Sequence, residues 1–200
     1  VLKMAFTGSA AKIINGQTIQ SVFHFQFGNY LHSLPLTARP GKCSLDVFRR
    51  DLTNLRLIII DEISLVSADL LYGIHFRLMK EAFQNKDPFG GVAMVCFGDI
   101  MQIKPVQGTP VFEEIHNNPQ LSLQQSIENL WRNFSVIILK TNHRQGPDKA
   151  YADILNRVRV GQWTHDDEKV LKQKVRAFDD SIPADAVSYT HLRAHETRRY

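Results

Sequence analysis

The chain has 200 residues, 44% hydrophobic and 22% charged, which suits one sizeable core, or one domain and the start of another, and excludes a disordered tail. A net charge of +4 favours an anionic partner only weakly, because Val187–Tyr200 holds three arginines against one glutamate and leaves +2 for the rest. Two cysteines, Cys43 and Cys96, exclude a disulfide framework, no apolar run is long enough for a membrane span, and the first residues lack a signal-peptide layout.

In chain order, Phe6-Thr7-Gly8-Ser9-Ala10-Ala11 reads as a strand end turning into a short helix. Asn15-Gly16 is a second turn, ahead of Thr18–Phe23. Gly28, Pro35, Pro40 and Gly41 mark residues 28–44 as a loop-rich connection, and Asp46–Asn54 reads as a helix with Leu45, Phe48 and Leu52 on one side. Leu57-Ile58-Ile59-Ile60 is a continuous apolar run ending at Asp61-Glu62, the pattern of a parallel strand covered on both faces. Ser67 is a helix cap with Asp69 in the first turn, and Leu71, Ile74, Leu78 and Ala82 would face the sheet. Val92–Phe97 reads as a second buried strand, with Cys96 an inert buried thiol, and Val136-Ile137-Ile138-Leu139 as a third. After the Gly146-Pro147 break, Tyr151–Val160 resumes as a helix, and Thr164 starts another with Asp166, Asp167 and Glu168 at its positive end. Alternating strands and helices predict an open α/β sheet.

In such a sheet, ligands sit beyond the carboxyl ends of the strands. The three expected strands end in Asp61-Glu62, Gly98-Asp99 and Asn142-x-Arg144-Gln145, so two acids and a guanidinium would converge on one crevice. A carboxylate held at a strand end suits a Mg²⁺ ion shared with nucleotide phosphates, and a second can take the proton of an attacking water. Asp61 is assigned to the metal and Glu62 to the water, with both counted as metal-site residues. Gln102 is a neutral donor and acceptor suited to a γ-phosphate, and Arg144 to the charge that develops there. Against these stand plainer readings: a strand end that caps the next helix, a loop stopped by Pro105, and a surface arginine paired with a carboxylate.

Four segments together resemble the Pif family of superfamily-one DNA helicases, Helitron-borne relatives included, over Ala5–Lys169. They are Thr7-Gly8-x-Ala10-Ala11 with Gly16-x-Thr18-Ile19-x-Ser21; Leu57–Val66; Phe89-Gly90-Gly91 with Gly98-Asp99-x-x-Gln102-x-x-Pro105-Val106; and Leu139-x-x-Asn142-x-Arg144-Gln145. The resemblance implies a RecA-like P-loop NTPase motor domain over residues 1–145 with an open, mainly parallel sheet. The start of a following helical or second-domain region would occupy 146–187, and a non-native tail 188–200. It implies Mg²⁺- and ATP-dependent translocation on single-stranded DNA and 5′-to-3′ unwinding at duplex junctions, in repair, recombination or telomere maintenance. Asp61, Gln102 and Arg144 would bind nucleotide, and Thr7, Gly8, Thr18 and Ser21 the DNA backbone. Phe23, His24 and Phe25 offer stacking faces for bases, although two of the three are expected in the core. A monomer in the nucleus, or in the mitochondrion, is the corresponding expectation.

The sequence departs from the family in several places. The phosphate-binding loop, G-x-x-x-x-G-K-S/T, is absent and is expected just before residue 1, so the 200 residues alone should not unwind DNA. Gln20 stands in place of a histidine, and Lys104 in place of an apolar residue or proline. Ser188–Tyr200 has no periodicity, and His191 and His195 have no companion ligands that would make a metal site. Two rival readings are a RecD-like exonuclease subunit and a non-catalytic DNA-binding remnant of a transposon helicase.

Overall fold

A computed structural model describes residues 1–25, 45–106, 108–113, 130–141, 143 and 149–173. These fall into two compact units, Val1–Ile138 and Leu139–Tyr200. The first unit opens with β1 (Leu2–Ala5), α1 (Gly8–Ile13), β2 (Gln17–Thr18), α2 (Ile19–Phe23) and α3 (Leu45–Leu52). It continues through β3 (Leu57–Asp61), a 3₁₀ turn at Ile63–Leu65, α4 (Ala68–Phe76) and β4 (Ala93–Cys96).

The strands form one sheet in the order β2-β1-β3-β4, every pair parallel. β3 lies inside it, pairing Leu2 with Ile58 and Ala5 with Asp61 on one side, and Ile60 with Cys96 on the other. Ile58 and Ile60 point to the covered face with Met4, where Ile19, Phe23, Leu70, Leu71, Ile74 and Leu78 close the core. Burying each such side chain contributes about 1.5–3 kcal/mol. Leu71, Ile74 and Leu78 therefore face the sheet as their spacing predicts, and Ser67 caps α4 by accepting from Leu70 N at 3.1 Å. Leu45–Leu52 and the Phe6–Ala11 strand-to-helix turn also form where expected.

Two expectations fail. Val92–Phe97 is not a strand buried on both faces: β4 is an edge strand among the described residues, with Met94 and Cys96 toward the core and Val95 and Phe97 exposed. Burial still pushes the Cys96 thiol up to about 12, which keeps it protonated and unreactive. Val136–Leu139 is not a strand either, and its side chains are between 73% and 86% exposed. β-branched residues favour a strand only where a neighbouring strand supplies a ladder and a face to pack on, and this run has neither among the described residues.

Beyond α4 the chain widens into a π-helical turn, Arg77–Ala82, closed by Phe83 N donating to Leu78 O at 2.9 Å. The turn buries an ion pair, Arg77 Nη1 to Glu81 Oε2 at 2.8 Å. α3 is tied to it by Arg49 Nε donating to the Glu81 carbonyl at 2.7 Å, and the Arg77 guanidinium lies 4.9 Å from the Phe25 ring centre. The Pro88–Gly91 turn that leads into β4 hangs on His75, whose Nδ1 accepts from Phe89 N at 3.0 Å. Gly90 has φ +68°, and a Cβ there would meet the Leu78 carbonyl oxygen at 2.9 Å, so glycine is required sterically at this position.

In the second unit, α5 (Lys149–Arg159) is joined to α6 (His165–Lys172) by a two-pronged Arg157–Asp167 bridge at 2.8 and 2.6 Å. The helix starts after Thr164 as expected, and Thr164 and Asp167 form a reciprocal cap there. The guanidinium and the cap hold the Asp167 carboxyl well below the usual carboxylate range.

The buried pair yields a double-mutant test. Glu81→Ala, which strands a buried guanidinium, should cost about 3–5 kcal/mol in denaturant unfolding, whereas Arg77→Met with Glu81→Leu should cost much less than the two single changes together. His75 yields a pH test. Burial lowers its pKa from the ordinary 6.5, so its contribution is complete above that value and is lost as pH falls through the lowered one. Melting temperature should therefore drop as pH falls below about 6.5, and His75→Gln should flatten the drop.

Candidate nucleotide and single-strand contact site

The parallel register determines what lies along the carboxyl edge of the sheet. Ala5 is paired with Thr18 on one side and Asp61 on the other, so β1, β2 and β3 finish in one row. Three of the sequence-predicted segments begin from that row: Thr7-Gly8, Thr18–Ser21 and Asp61-Glu62.

Asp61 is the last residue of β3, and its Oδ1 accepts from Glu62 N at 3.0 Å. It borders a cleft of 460 Å³ lined also by Lys3, Ile59 and Phe97, with Ile13–Asn15 at one side. Glu62 follows in the left-handed region, φ 54° and ψ 51°. For a residue with a Cβ this conformation costs about 1–2 kcal/mol and has to be imposed by its surroundings. The surroundings are the end of β4. Phe97 N donates to Ile60 O at 2.8 Å, and Ile63 N donates to Phe97 O at 2.9 Å, so the Asp-Glu turn and the Gly98-Asp99 turn are stitched side by side. The first two expected strand ends, Asp61-Glu62 and Gly98-Asp99, are thus adjacent through their backbone.

The loop after β4 is folded around Asp99. Its Oδ1 accepts from Met101 N at 3.1 Å, its carbonyl from Gln102 N at 3.0 Å, and its Oδ2 lies 3.4 Å from Gln102 Nε2. Gln102 is exposed and anchored at its own base, with the far end of the loop returned to α4 by Ala68 N donating to Thr109 O at 2.8 Å. Lys104 points to a surface pairing with Glu113 at 3.5 Å.

On the neighbouring strands, Thr7 caps α1 by accepting from Ala10 N, and Thr18 caps α2 by accepting from Ser21 N, both at 3.2 Å. Each hydroxyl still has a proton to donate, and a Cβ on Gly8 would meet only open space. Gly16 has no such room: a Cβ there would fall 2.4 Å from the Lys3 carbonyl oxygen, so only glycine lets the β2 approach close against β1. Phe23 and Phe25 are buried, their rings stacked 5.8 Å apart, and neither presents a face to a base. His24 is half-buried. Arg144, together with Asn142 and Gln145, lies outside the described residues, as does the 188–200 tail.

Lys3 is the cleft residue that sequence reasoning missed. A single charge inside Leu2-Lys3-Met4-Ala5 was its only signal, and its position beside Asp61 comes from strand pairing two residues apart in register. Among the described residues no cluster of three or more metal-ligating side chains occurs.

Residues 1–169 match the family model for the PIF1-like helicase. The chain belongs to this family. It is 30% identical over 196 residues to the ATP-dependent DNA helicase RRM3 of Saccharomyces cerevisiae, an alignment covering 98% of this chain and 25% of that protein. A Pif1 structure addressing unwinding at forked double-stranded DNA by two coordinating Pif1 helicases superposes with a TM-score of 0.68 at 26% identity, over 99% of this chain and 47% of that one. Bacteroides Pif1 in complex with ADP-AlF4 superposes with a TM-score of 0.67 at 26% identity, over 99% and 46%. The fold is thus the parallel α/β sheet of Pif1 helicases, and the chain spans about a quarter of that curated relative and about half of those solved chains.

Proposed function

We propose that the protein of which these residues form part is an ATP-dependent DNA helicase that steps 5′ to 3′ along single-stranded DNA, with ATP hydrolysed beside Asp61 and Glu62. The reading is carried by one observation: in a chain of the PIF1-like helicase family, the Asp61-Glu62 turn and the Asp99–Gln102 loop are stitched together at the carboxyl edge of the sheet.

Asp61 faces an open cleft, and with Glu62 it offers the one or two carboxylates that Mg²⁺ takes from protein when phosphates and water fill its other positions. The ion, when bound, neutralises charge on the β- and γ-phosphates. Glu62 accepts a proton from water as the water oxygen bonds to the γ-phosphorus and the bridging bond to ADP breaks. Gln102, tethered through Asp99, contacts the γ-phosphate or its water, and Arg144 stabilises charge on the transferring group. The glycine-rich phosphate cradle is not encoded in these 200 residues, so the activity is proposed for the whole protein.

Thr7, Gly8, Thr18 and Ser21 would hold the DNA backbone, with hydroxyls and backbone groups at two adjacent strand ends fixing register without reading bases. Substrates are single strands and duplex junctions, and work in repair, recombination or telomere maintenance follows, in nucleus or mitochondrion.

In the whole protein, Glu62→Gln should lower DNA-stimulated ATP turnover by about 10²–10⁴-fold while leaving nucleotide binding, followed with a fluorescent ATP analogue, intact. Turnover close to that of the unsubstituted enzyme would remove Glu62 from the chemistry.

A further inference from the structure

We infer that Gly98 is a positioning residue for hydrolysis: by letting the end of β4 close against the Glu62–Ile63 turn, it aims the Glu62 carboxylate. This rests on the role given to Glu62 above.

Glu62 is left-handed, and the structure shows what holds it there. On its N-terminal side, its own N–H is taken by Asp61 Oδ1. On its C-terminal side, the next N–H, that of Ile63, reaches across to Phe97 O, the last carbonyl before Gly98. Its carbonyl accepts from Leu65 N at 3.0 Å, which starts the 3₁₀ turn. The Ile63–Phe97 bond requires the chain after Phe97 to leave within touching distance of the turn. Gly98 does so with φ +150°, and a Cβ there would lie 2.8 Å from Ile63 N, 3.1 Å from Ile63 Cγ2 and 3.5 Å from the Glu62 carbonyl carbon. The nearest obstacle is backbone, which cannot swing aside as the tip of a side chain can. Any residue but glycine must push the turn away, which stretches the Ile63–Phe97 bond and loosens Glu62 from a conformation it would not otherwise hold.

Gly98 also begins the loop that carries Asp99 and Gln102. A second glycine, Gly108, closes that loop, with a Cβ there falling 2.7 Å from Ser67 Cβ beside the Ala68–Thr109 hydrogen bond. Gly108 thus fastens the far end of the Gln102 loop to Ser67–Ala68 independently of Gly98.

The test compares Gly98→Ala, Glu62→Gln and the double variant in the whole protein. Misplacement of a reacting group by about 1 Å costs on the order of 10²-fold, so Gly98→Ala should lower kcat by about that factor, with KM for ATP and single-stranded DNA affinity little changed. Because Gly98 acts through Glu62, the double variant should be no slower than Glu62→Gln alone. An unimpaired Gly98→Ala, or losses that multiply in the double variant, would overturn the inference. A fully active Glu62→Gln would instead overturn the role of Glu62 itself. If Gly98→Ala yields no folded protein, hydrogen exchange at the Ile63 amide of the unsubstituted protein decides. Slow exchange that slows further with ADP and aluminium fluoride supports the inference, and exchange at the rate of an open loop overturns it.

Discussion

The parallel pairing of β1 with β3 is the constraint on which the rest of the molecule depends. Side chains alternate along a strand, so the register that buries Ile58 and Ile60 also sends Asp61 to the opposite, cleft-facing side. A slip by one residue would exchange those faces, bury Asp61 and expose the isoleucines, an outcome penalised by both the hydrophobic loss and the buried charge. Core packing therefore specifies where the carboxylate stands. The same ladder levels β1, β2 and β3 at their carboxyl ends, so Thr7, Thr18 and Asp61 need no further device to share one edge.

At that edge, favourable and unfavourable terms are placed in contact. Glu62 occupies a conformation its side chain disfavours, and the cost is offset by hydrogen bonds from both strands and by the absence of a side chain at Gly98. Farther back, α3, the π-helical turn and Phe25 are knitted together by Arg49, Arg77 and Glu81, which stiffens the helical layer under β3. The strained turn is supported by neighbours that are themselves well packed. That arrangement is expected where a catalytic group has to be aimed before its substrate arrives.

Much of this was legible in the residues. The aliphatic run before Asp61-Glu62 announced a parallel strand, the spacing of Leu71, Ile74 and Leu78 announced α4, and Ser67 and Thr164 announced their helix starts. These are local signals, periodicity and capping, which survive without tertiary information. What misled was the equally local signal of Val136–Leu139, because a strand is made by its partners as well as by its own propensity. What stayed hidden was non-local. Nothing near Arg77 in sequence predicts a buried ion pair inside a π-helical turn, nothing near Lys3 predicts Asp61, and the close contact of Gly98 with Ile63 joins residues 35 positions apart. The family motifs locate the chemistry on the chain, and the pairing of the strands brings it together.

The most direct test of the central claim, that Asp61 and Glu62 are the metal- and water-handling carboxylates of an ATP-driven helicase, is a crystal structure of the whole protein with ADP, aluminium fluoride, Mg²⁺ and single-stranded DNA. Asp61 should be bound to Mg²⁺ directly or through one of its waters, and Glu62 should lie about 2.6–3.2 Å from the water in line with the fluoride. A Mg²⁺ ion and attacking water held by other residues, with Asp61 and Glu62 turned away from the nucleotide, would contradict it.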